Sequence, residues 1–127
     1  MSNSVKKVIQ TRTAVRRAAL FASEKKAIDI KILDLRKITD FTDYFIICSG
    51  VVDVHVKTIH EHIHTMMSAQ GWRSKHVEGV SGSKWILADY VHFVVHIFQP
   101  DARGYYAVEK LWGDAPLVTV KGVTDLQ

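Results

Sequence analysis

The stretch YFIICSG, residues 44–50, decides the fold class of this 127-residue chain. A continuous apolar run of this length is typical of a strand that is buried on both faces of a sheet. Gly50 ends the run, and residues 53–70 then repeat apolar side chains at helical spacing, with Asp53 as the expected N-cap and Gly71 as the stop. A strand, a turn and a helix in this order open a βαβ unit, so the sequence predicts an α/β protein.

Two elements precede this strand. Residues 28–35, IDIKILDL, alternate strictly and predict a strand in which Ile28, Ile30 and Ile32 face one way. Residues 4–26 predict an amphipathic helix with Lys and Arg on its polar face. The predicted βαβ unit is therefore preceded by a helix and a strand.

Three short strands and a helix follow the βαβ opening. The strands read WRSKHVEG, SKWILADY and VHFVVHIFQ, and the loop GVSGS and a tight turn near residues 90–91 join them into an antiparallel meander. Residues 101–114, DARGYYAVEKLWGD, predict one final helix that begins near Asp101 and stops at Gly113. We expect a single domain with a mixed β-sheet and flanking helices.

Composition and charge narrow the class of partner. No apolar run approaches the roughly 20 residues of a membrane span, and Cys48, the single cysteine, predicts a buried inert thiol and a reducing compartment, the cytoplasm. Residues 1–26 carry a net charge of +6, whereas the rest of the chain carries −2. A mildly acidic body favours a basic protein as partner over a phosphate backbone.

The helix segment HEHIH contains His60, Glu61 and His64 in the H-E-x-x-H order of zinc proteases. At about 100° per residue, His60 lies on the shoulder of the apolar stripe, His64 farther round, and Glu61 almost opposite the core. A zinc site needs these groups aimed into a cleft together with a third ligand. We interpret the segment as a solvated histidine face and expect no metal.

A second candidate is SGVVDVHV, residues 49–56, which resembles the nucleotidyltransferase pattern of Gly-Ser followed by two acids at alternate positions. Asp53 fits the first acid, but His55 stands where the second is needed, and hard cations prefer oxygen ligands. We expect Ser49 and Gly50 to shape the turn and Asp53 to cap the helix. A divergent nucleotidyltransferase-like nucleotide-binding protein remains the alternative hypothesis.

A third candidate is a surface. On the strand of residues 84–90, Ile86 and Ala88 suit a core, which places Trp85 and Asp89 together on the opposite side. Large aromatic side chains beside acids are typical of a binding hot spot. Packing of Trp85 under the last helix is the other interpretation, and the spacing leaves both open.

Four segments carry a resemblance to a known family: DYFIICSG, the EG of HVEG, KWILADYVHFVVHIF and ARGYYAVEKLWGDAP. They resemble the Iojap-related family, the bacterial and organellar ribosomal silencing factors. The resemblance spans residues 14–118 and leaves residues 1–13 as a basic N-terminal extension and residues 119–127 as a C-terminal tail. It implies a domain related to the nucleotidyltransferase fold without that activity, so neither catalysis nor a cofactor is expected.

The resemblance also implies a function. Family members bind universal large-subunit ribosomal protein fourteen, block joining of the small subunit, and so repress translation under nutrient limitation or in stationary phase. The implied partner-binding residues are Trp85, Asp89 and Tyr90 as the firmest assignments, together with Glu78, Tyr105 and Trp112. Phe98, Tyr106 and Leu111 also match family positions. Phe98 and Leu111 are expected to be core residues, and the resemblance leaves open which of the other aromatic residues are core.

Charge supports a basic partner for this surface. The acids expected to form a complementary patch are Glu78, Asp89, Asp101, Glu109 and Asp114. The basic leading helix either adds peripheral contact with ribosomal RNA or is a solvated face. Away from the ribosome the aromatic surface could pair with itself in a homodimer.

One departure from the family pattern concerns the turn after the Trp85 strand. Family members commonly have a glycine and an acid after the Asp-Tyr pair, where this chain has Val91 and His92. This difference puts the tightness of the turn in doubt.

Overall fold

Five strands form one mixed sheet in the part of the chain that the structure describes. This computed structural model describes the backbone of residues 3–120 and the side chains of residues 10–120. The elements in chain order are α1 (Asn3–Glu24), β1 (Ile28–Asp34), β2 (Tyr44–Ser49), α2 (Asp53–Ala69), β3 (His76–Glu78), β4 (Trp85–Asp89), β5 (Phe93–Phe98), α3 (Pro100–Tyr106) and α4 (Val108–Leu111). The strand order is β1-β2-β5-β4-β3, with β2 and β5 parallel and the other neighbours antiparallel. The predicted α/β class, mixed sheet and flanking helices are confirmed.

The sheet is buried on both faces at its centre. Every residue of β2 and of β5 is buried, as the apolar run at residues 44–50 predicts. Helices α1 and α2 cover one face, and α2 turns Val56, Ile59, Ile63 and Met67 toward it. The opposite face is only partly covered, by α3, α4 and the chain that follows them. That incomplete cover leaves room for a site.

The first residues of β1 do not follow the predicted alternation of side chains between the two faces of the sheet. The register with β2 shifts between Ile28 and Lys31, and Asp29 lies at φ +51°. A bulge inserts an extra residue into one strand and re-aims the side chains on one side of it. Ile28 is consequently 41% exposed, whereas Ile30 and Ile32 are buried. The expectation that the three isoleucines share one face was wrong for Ile28.

The final helix is broken in two, contrary to the single helix predicted for residues 101–114. Ala107 adopts a left-handed conformation at φ +49° between α3 and α4. Residues six apart on a continuous helix lie about 120° apart around its axis. The break allows the Glu109 carboxylate to reach Arg103, whose Nε donates to it at 2.7 Å.

The turn between β4 and β5 is tight although it has no glycine. Val91 lies at φ +74°, which a β-branched residue rarely adopts. The N–H of Val91 donates to the Asp89 carboxylate at 2.7 Å, and the N–H of His92 donates to the carbonyl of Tyr90 at 2.9 Å. The Asp89 side chain therefore helps to hold the strained turn closed.

The chain after α4 returns to the sheet. The N–H of Val118 donates to the carbonyl of Ile32 at 2.9 Å, and the side chains of Val118 and Val120 are buried in the core. Val120, in the predicted 119–127 tail, is thus packed, while residues 121–127 lie outside the described residues. Likewise, α1 runs without interruption through residues 13 and 14. The segment boundaries stay predictions.

Candidate functional site

The partly covered side of the sheet carries the residues that the sequence singles out. On β4, Trp85, Leu87 and Asp89 are half-buried, whereas Ile86 and Ala88 are buried on the helix-covered side. This alternation confirms the predicted division of the strand. We call the partly covered side the aromatic face, defined by Glu78, Trp85, Leu87, Tyr105, Tyr106 and Trp112.

Trp85 lies at the centre of the aromatic face. Its ring stacks on Phe98 with centroids 4.9 Å apart and lies 4.8 Å from the ring of Tyr106. The indole Nε1 donates a hydrogen bond to Nδ1 of His96 at 3.1 Å. Trp85 therefore packs against helix α3 and keeps part of its surface exposed, so the packing interpretation is confirmed and the binding role stays a prediction.

His96 orients this tryptophan from below. It is opposite Leu87 in the β4–β5 register, and it is buried with the Phe45 ring centroid 4.4 Å away. Because Nδ1 accepts the indole proton, the ring proton of neutral His96 is on Nε2. Burial lowers the pKa of His96 to about 4. At neutral pH its Nδ1 is therefore unprotonated and can accept the hydrogen bond from Trp85. A lone histidine in an apolar strand gives no sequence signal for this role.

An open pocket of about 510 Å³ lies beside Trp85, between the β3–β4 loop and α3. Trp85, Tyr105 and Tyr106 supply aromatic walls, and Asp101 supplies a carboxylate at the rim. A Cβ on Gly79 would lie 2.0 Å from the carbonyl oxygen of Trp85, and the residue has φ +88°. Only glycine allows the loop to approach this closely, so Gly79 shapes one wall.

The rings form a continuous chain across this side of the sheet. Contacts between neighbouring centroids, all 6.2 Å or less, link Phe41, Phe45, His96, Trp85, Tyr106 and Tyr105, and Trp112 joins the chain at Phe45. The outer members are open to solvent, since Phe41 is 66% exposed and Tyr105 is 81% exposed. Sequence reasoning missed Phe41, which lies in the polar loop before β2.

The predicted acidic patch is smaller than expected. Glu109 accepts two hydrogen bonds from Arg103, at 2.7 and 3.2 Å, and lies 3.2 Å from Lys31 Nζ. The hydrogen bonds from Arg103 lower the pKa of Glu109, whose charge is already paired inside the protein. Glu78 and Asp101 remain exposed, although Glu78 is 2.6 Å from the ring of His76.

Tyr90 is not on this surface, contrary to its expected role as an anchor. It is only 3% exposed and stacks on Phe93 with centroids 4.8 Å apart, on the side covered by α1 and α2. Strand alternation explains this, because Tyr90 follows Ile86 and Ala88 at the period of two. Burial also raises the pKa of its phenol to about 12. We correct the assignment of Tyr90 from surface anchor to core residue.

The residues that resemble a nucleotidyltransferase turn have structural partners. Ser49 Oγ accepts a hydrogen bond from Arg103 Nη1 at 2.9 Å. A Cβ on Gly50 would lie 2.9 Å from the backbone nitrogen of Val56, so this glycine is needed for the close approach of α2. Asp53 accepts from the N–H of Val54 at 2.9 Å. The expected N-cap role of Asp53 was wrong, because residue 52 holds that position without a side-chain cap.

His55, at the place of the second acid, joins two helices. Its Nδ1 accepts from the N–H of Val51 at 2.8 Å, and its Nε2 lies 2.8 Å from the carbonyl of Lys25. A backbone N–H must donate and a carbonyl must accept, so His55 is neutral with its proton on Nε2. The ring ties the start of α2 to the end of α1, which is a structural task.

The histidine-rich face of α2 lies toward solvent, as predicted. Glu61 and His64 are exposed and His60 is half-buried, with 6.1 Å between the two imidazole centroids. Burial and the neighbouring His64 lower the pKa of His60. Within the described residues, no three His, Cys, Asp or Glu side chains converge as metal ligands would.

Helix length and polarity also bear on a membrane location. Over the described residues, none of the helices combines the length and the apolar character needed to span a bilayer.

Comparison with known proteins supplies the family. A family model described as a ribosomal silencing factor during starvation matches residues 8–127, a wider range than the expected 14–118. The ribosomal silencing factor RsfS of Bacillus subtilis is 43% identical over 100 residues, which are 79% of this chain and 85% of that protein. The mouse protein named mitochondrial assembly of ribosomal large subunit protein 1 is 29% identical over 92 residues, covering 70% of this chain and 40% of that protein.

A solved structure shares the fold. The crystal structure of a protein from Chromobacterium violaceum superposes with a TM-score of 0.79 at 26% identity, covering 91% of this chain and 96% of that one. The relation to the nucleotidyltransferase fold that the resemblance implies stays a prediction. The family model and the Bacillus subtilis relative together show that the chain belongs to the ribosomal silencing factor family.

Proposed function

We propose that this protein binds the large ribosomal subunit through the aromatic face and represses translation by blocking joining of the small subunit. The contacted protein is universal large-subunit ribosomal protein fourteen, and the conditions are nutrient limitation or stationary phase. The continuous chain of partly exposed rings around Trp85 carries the proposal. The name of the mouse relative supports a large-subunit partner.

The composition of the aromatic face suits a protein partner. Aromatic side chains are enriched in interface cores, and the few residues that dominate binding lie in well-packed, desolvated positions. Trp85 is already held in place by Phe98, Tyr106 and His96, so little side-chain entropy is lost when a partner covers it. Glu78 and Asp101 at the rim favour a basic partner.

The proposed mechanism is steric and needs no catalytic group or cofactor. The serine, glycine, aspartate and histidine that resemble a nucleotidyltransferase turn each serve the packing or hydrogen bonding of the fold, which supports this reading over a nucleotide-binding enzyme. The protein must meet large subunits before they join small subunits. The proposal therefore includes a location in the cytoplasm, where those subunits are free.

The aromatic face is best tested with side chains that the fold does not need. Tyr105→Glu changes a residue of this face that is 81% exposed. Leu111→Glu changes the residue before Trp112, which was expected in the core but is 77% exposed. A matched control is Val54→Glu on α2, where the valine is 67% exposed on the opposite side of the sheet. We expect the first two variants to lose co-sedimentation with large subunits and inhibition of subunit joining, while Val54→Glu retains both. Equal binding by all three variants would contradict the proposal.

The identity of the partner needs a separate measurement. Calorimetric titration with purified large-subunit ribosomal protein fourteen should show binding that Tyr105→Glu abolishes. Binding to whole subunits without binding to this isolated protein would move the contact to another ribosomal component. Homodimer formation through the aromatic face is part of the same proposal, and analytical ultracentrifugation of wild type and Tyr105→Glu tests it.

A further inference from the structure

A second concave surface lies on the other side of the sheet. It has a volume of about 600 Å³ and is formed where α1, the end of α2 and the β4–β5 turn meet. We call it the basic groove, lined chiefly by Gln10, Arg17, Gln70, Trp72, Arg73 and His92. We propose that the basic groove binds an unpaired nucleotide of single-stranded RNA, independently of the aromatic face.

The charge of the groove favours a phosphate. Arg17 and Arg73 both line it and are exposed, and the lining contains no Asp or Glu. Neither arginine forms an ion pair within the part of the chain that is described. Arg17 Nη1 donates to Gln70 Oε1 at 2.9 Å, which holds the guanidinium in place before a ligand arrives. A guanidinium has five N–H donors, so most of them remain for a phosphate.

The walls of the groove favour a base next to that phosphate. Trp72 is half-buried, with its ring centroid 5.7 Å from that of Phe93, which fixes its position. Tryptophan offers a stacking surface to any base, and such stacking contributes about 1–3 kcal/mol per base. Gln10 and Gln70 add amide groups that can bond to base edges. An aromatic platform beside two arginines is the combination that binds single strands.

Tyr90 supplies an independent observation. It lines the groove, and its hydroxyl is buried with no hydrogen-bond partner among the described residues. A buried polar group without a partner is costly, and the majority of such groups in proteins are satisfied by protein, water or ligand. Because the hydroxyl has almost no accessible surface, a ligand would reach it only after a lining side chain moves aside. The strained turn at Val91, with φ +74°, forms the rim of the same groove.

A strand of RNA fits this surface better than a free nucleotide. Arg16 is exposed one residue before Arg17 on α1, and Arg12 is half-buried one turn earlier on the same helix. A mononucleotide would meet only the groove, whereas a strand brings further phosphates to this basic helix. Binding of several phosphates also makes the affinity depend steeply on salt.

Fluorescence anisotropy with a labelled single-stranded RNA of about ten nucleotides tests the proposal, at about 50 and 200 mM salt. We expect Arg73→Glu to weaken binding about ten-fold or more and to lower the salt slope by about one. The matched control is Lys37→Glu, which changes an exposed basic residue of the loop before β2 by the same charge. That variant should stay within about two-fold of wild type, since it lies outside the groove.

Trp72→Phe and Trp72→Leu separate stacking from charge. The phenylalanine variant should retain most of the affinity, and the leucine variant should lose about 1–3 kcal/mol, or about five-fold or more, with an unchanged salt slope. Circular dichroism establishes that both variants fold.

Three results would overturn the proposal. The first is an equal loss of affinity in Arg73→Glu and Lys37→Glu, which would mean unspecific attraction. The second is equally tight binding of a duplex RNA, because paired bases cannot stack on Trp72. The third is complete competition by AMP at concentrations near those of the RNA, which would indicate a free nucleotide as ligand. Tyr105→Glu, the aromatic-face variant, should bind RNA as wild type does, so failure of the two proposals can be told apart.

Discussion

Replacing Arg103 should detach the two short helices that carry much of the aromatic face. The side chain is buried, and its Nη1 donates to Ser49 Oγ at 2.9 Å while its Nη2 donates to the carbonyl of Asp29 at 2.9 Å. Its Nε and Nη2 donate to the Glu109 carboxylate at 2.7 and 3.2 Å. These bonds join α3 and α4 to β1 and β2, so the rings on the two helices depend on them.

The expected loss follows from these bonds. Removing one partner of a buried ion pair costs about 3–5 kcal/mol, because the other charge is left unpaired. Lys31 remains 3.2 Å from Glu109 and offsets part of that loss, so we expect Arg103→Met to lower the free energy of unfolding by about 3 kcal/mol. Arg103→Lys keeps the charge but not the planar fork. Losing two of its hydrogen bonds, at about 1 kcal/mol each, should cost about 2 kcal/mol.

Urea unfolding followed by circular dichroism at neutral pH measures both values. Amide hydrogen exchange should show lost protection in α3 and α4 before the sheet is affected, and binding to large subunits should weaken because Tyr105 and Tyr106 are displaced. The reasoning would be refuted by an Arg103→Met protein within about 1 kcal/mol of wild type with both helices equally protected.

The same ion pair should leave a signature in the pH dependence. Hydrogen bonds from Arg103 lower the pKa of Glu109 below its ordinary value of 4.5. Such a carboxylate contributes stability that is complete above that value and is lost as the pH falls through the folded-state pKa. Arg103→Met should therefore lose less stability than wild type between neutral and strongly acidic pH.

Three further predictions concern the core. Gly50→Ala should destabilise the protein by about 1–3 kcal/mol, because its Cβ would lie 2.9 Å from Val56 Cγ2; Gly82→Ala, with nothing within 4 Å, should stay within about 0.5 kcal/mol in the same thermal melt. His96 is buried and neutral with a pKa of about 4, so the unfolded state binds the extra proton and stability should fall by about 3 kcal/mol as the pH drops from 6.5 to 4. His96→Phe should remove this loss of stability between pH 6.5 and 4 in urea titrations. If the loss is unchanged, a group other than His96 causes it. The thiol of Cys48, with a pKa raised to about 12 by burial, should react with a thiol reagent at neutral pH only as fast as the chain unfolds, and rapid labelling of the native protein would contradict its burial.

Much of the fold could be predicted from local periodicity. The buried strand at residues 44–50, the helix after it and the strand with Trp85 are each marked by side chains spaced at the period of their own element. The same rule correctly placed Trp85 and Ile86 on opposite faces of their strand. It also places Tyr90 in the core, because Tyr90 continues the alternation of Ile86. The surface role expected for Tyr90 rested on its place in the meander and on the family resemblance, not on this alternation.

Other features have no local signal. The break at Ala107 and the bulge at Asp29 occur where ordinary periodicity predicts a continuous helix and a regular strand. Both are explained by Arg103, whose side chain reaches a carbonyl exposed by the bulge and a carboxylate brought near by the break. These partners are 74 and six residues away in the chain, so no pattern within one element indicates them.

The amino-acid order determined the element types, the mixed α/β class, the family and the side of the strand on which Trp85 lies, because side-chain period and motif are local properties. Tertiary structure alone decided which polar groups are available to a partner. Glu109 is paired inside the protein, Asp89 holds a strained turn, and His96 is buried beneath the indole that it orients. Availability depends on burial and on hydrogen-bond partners, and both arise only when distant segments of the chain pack together.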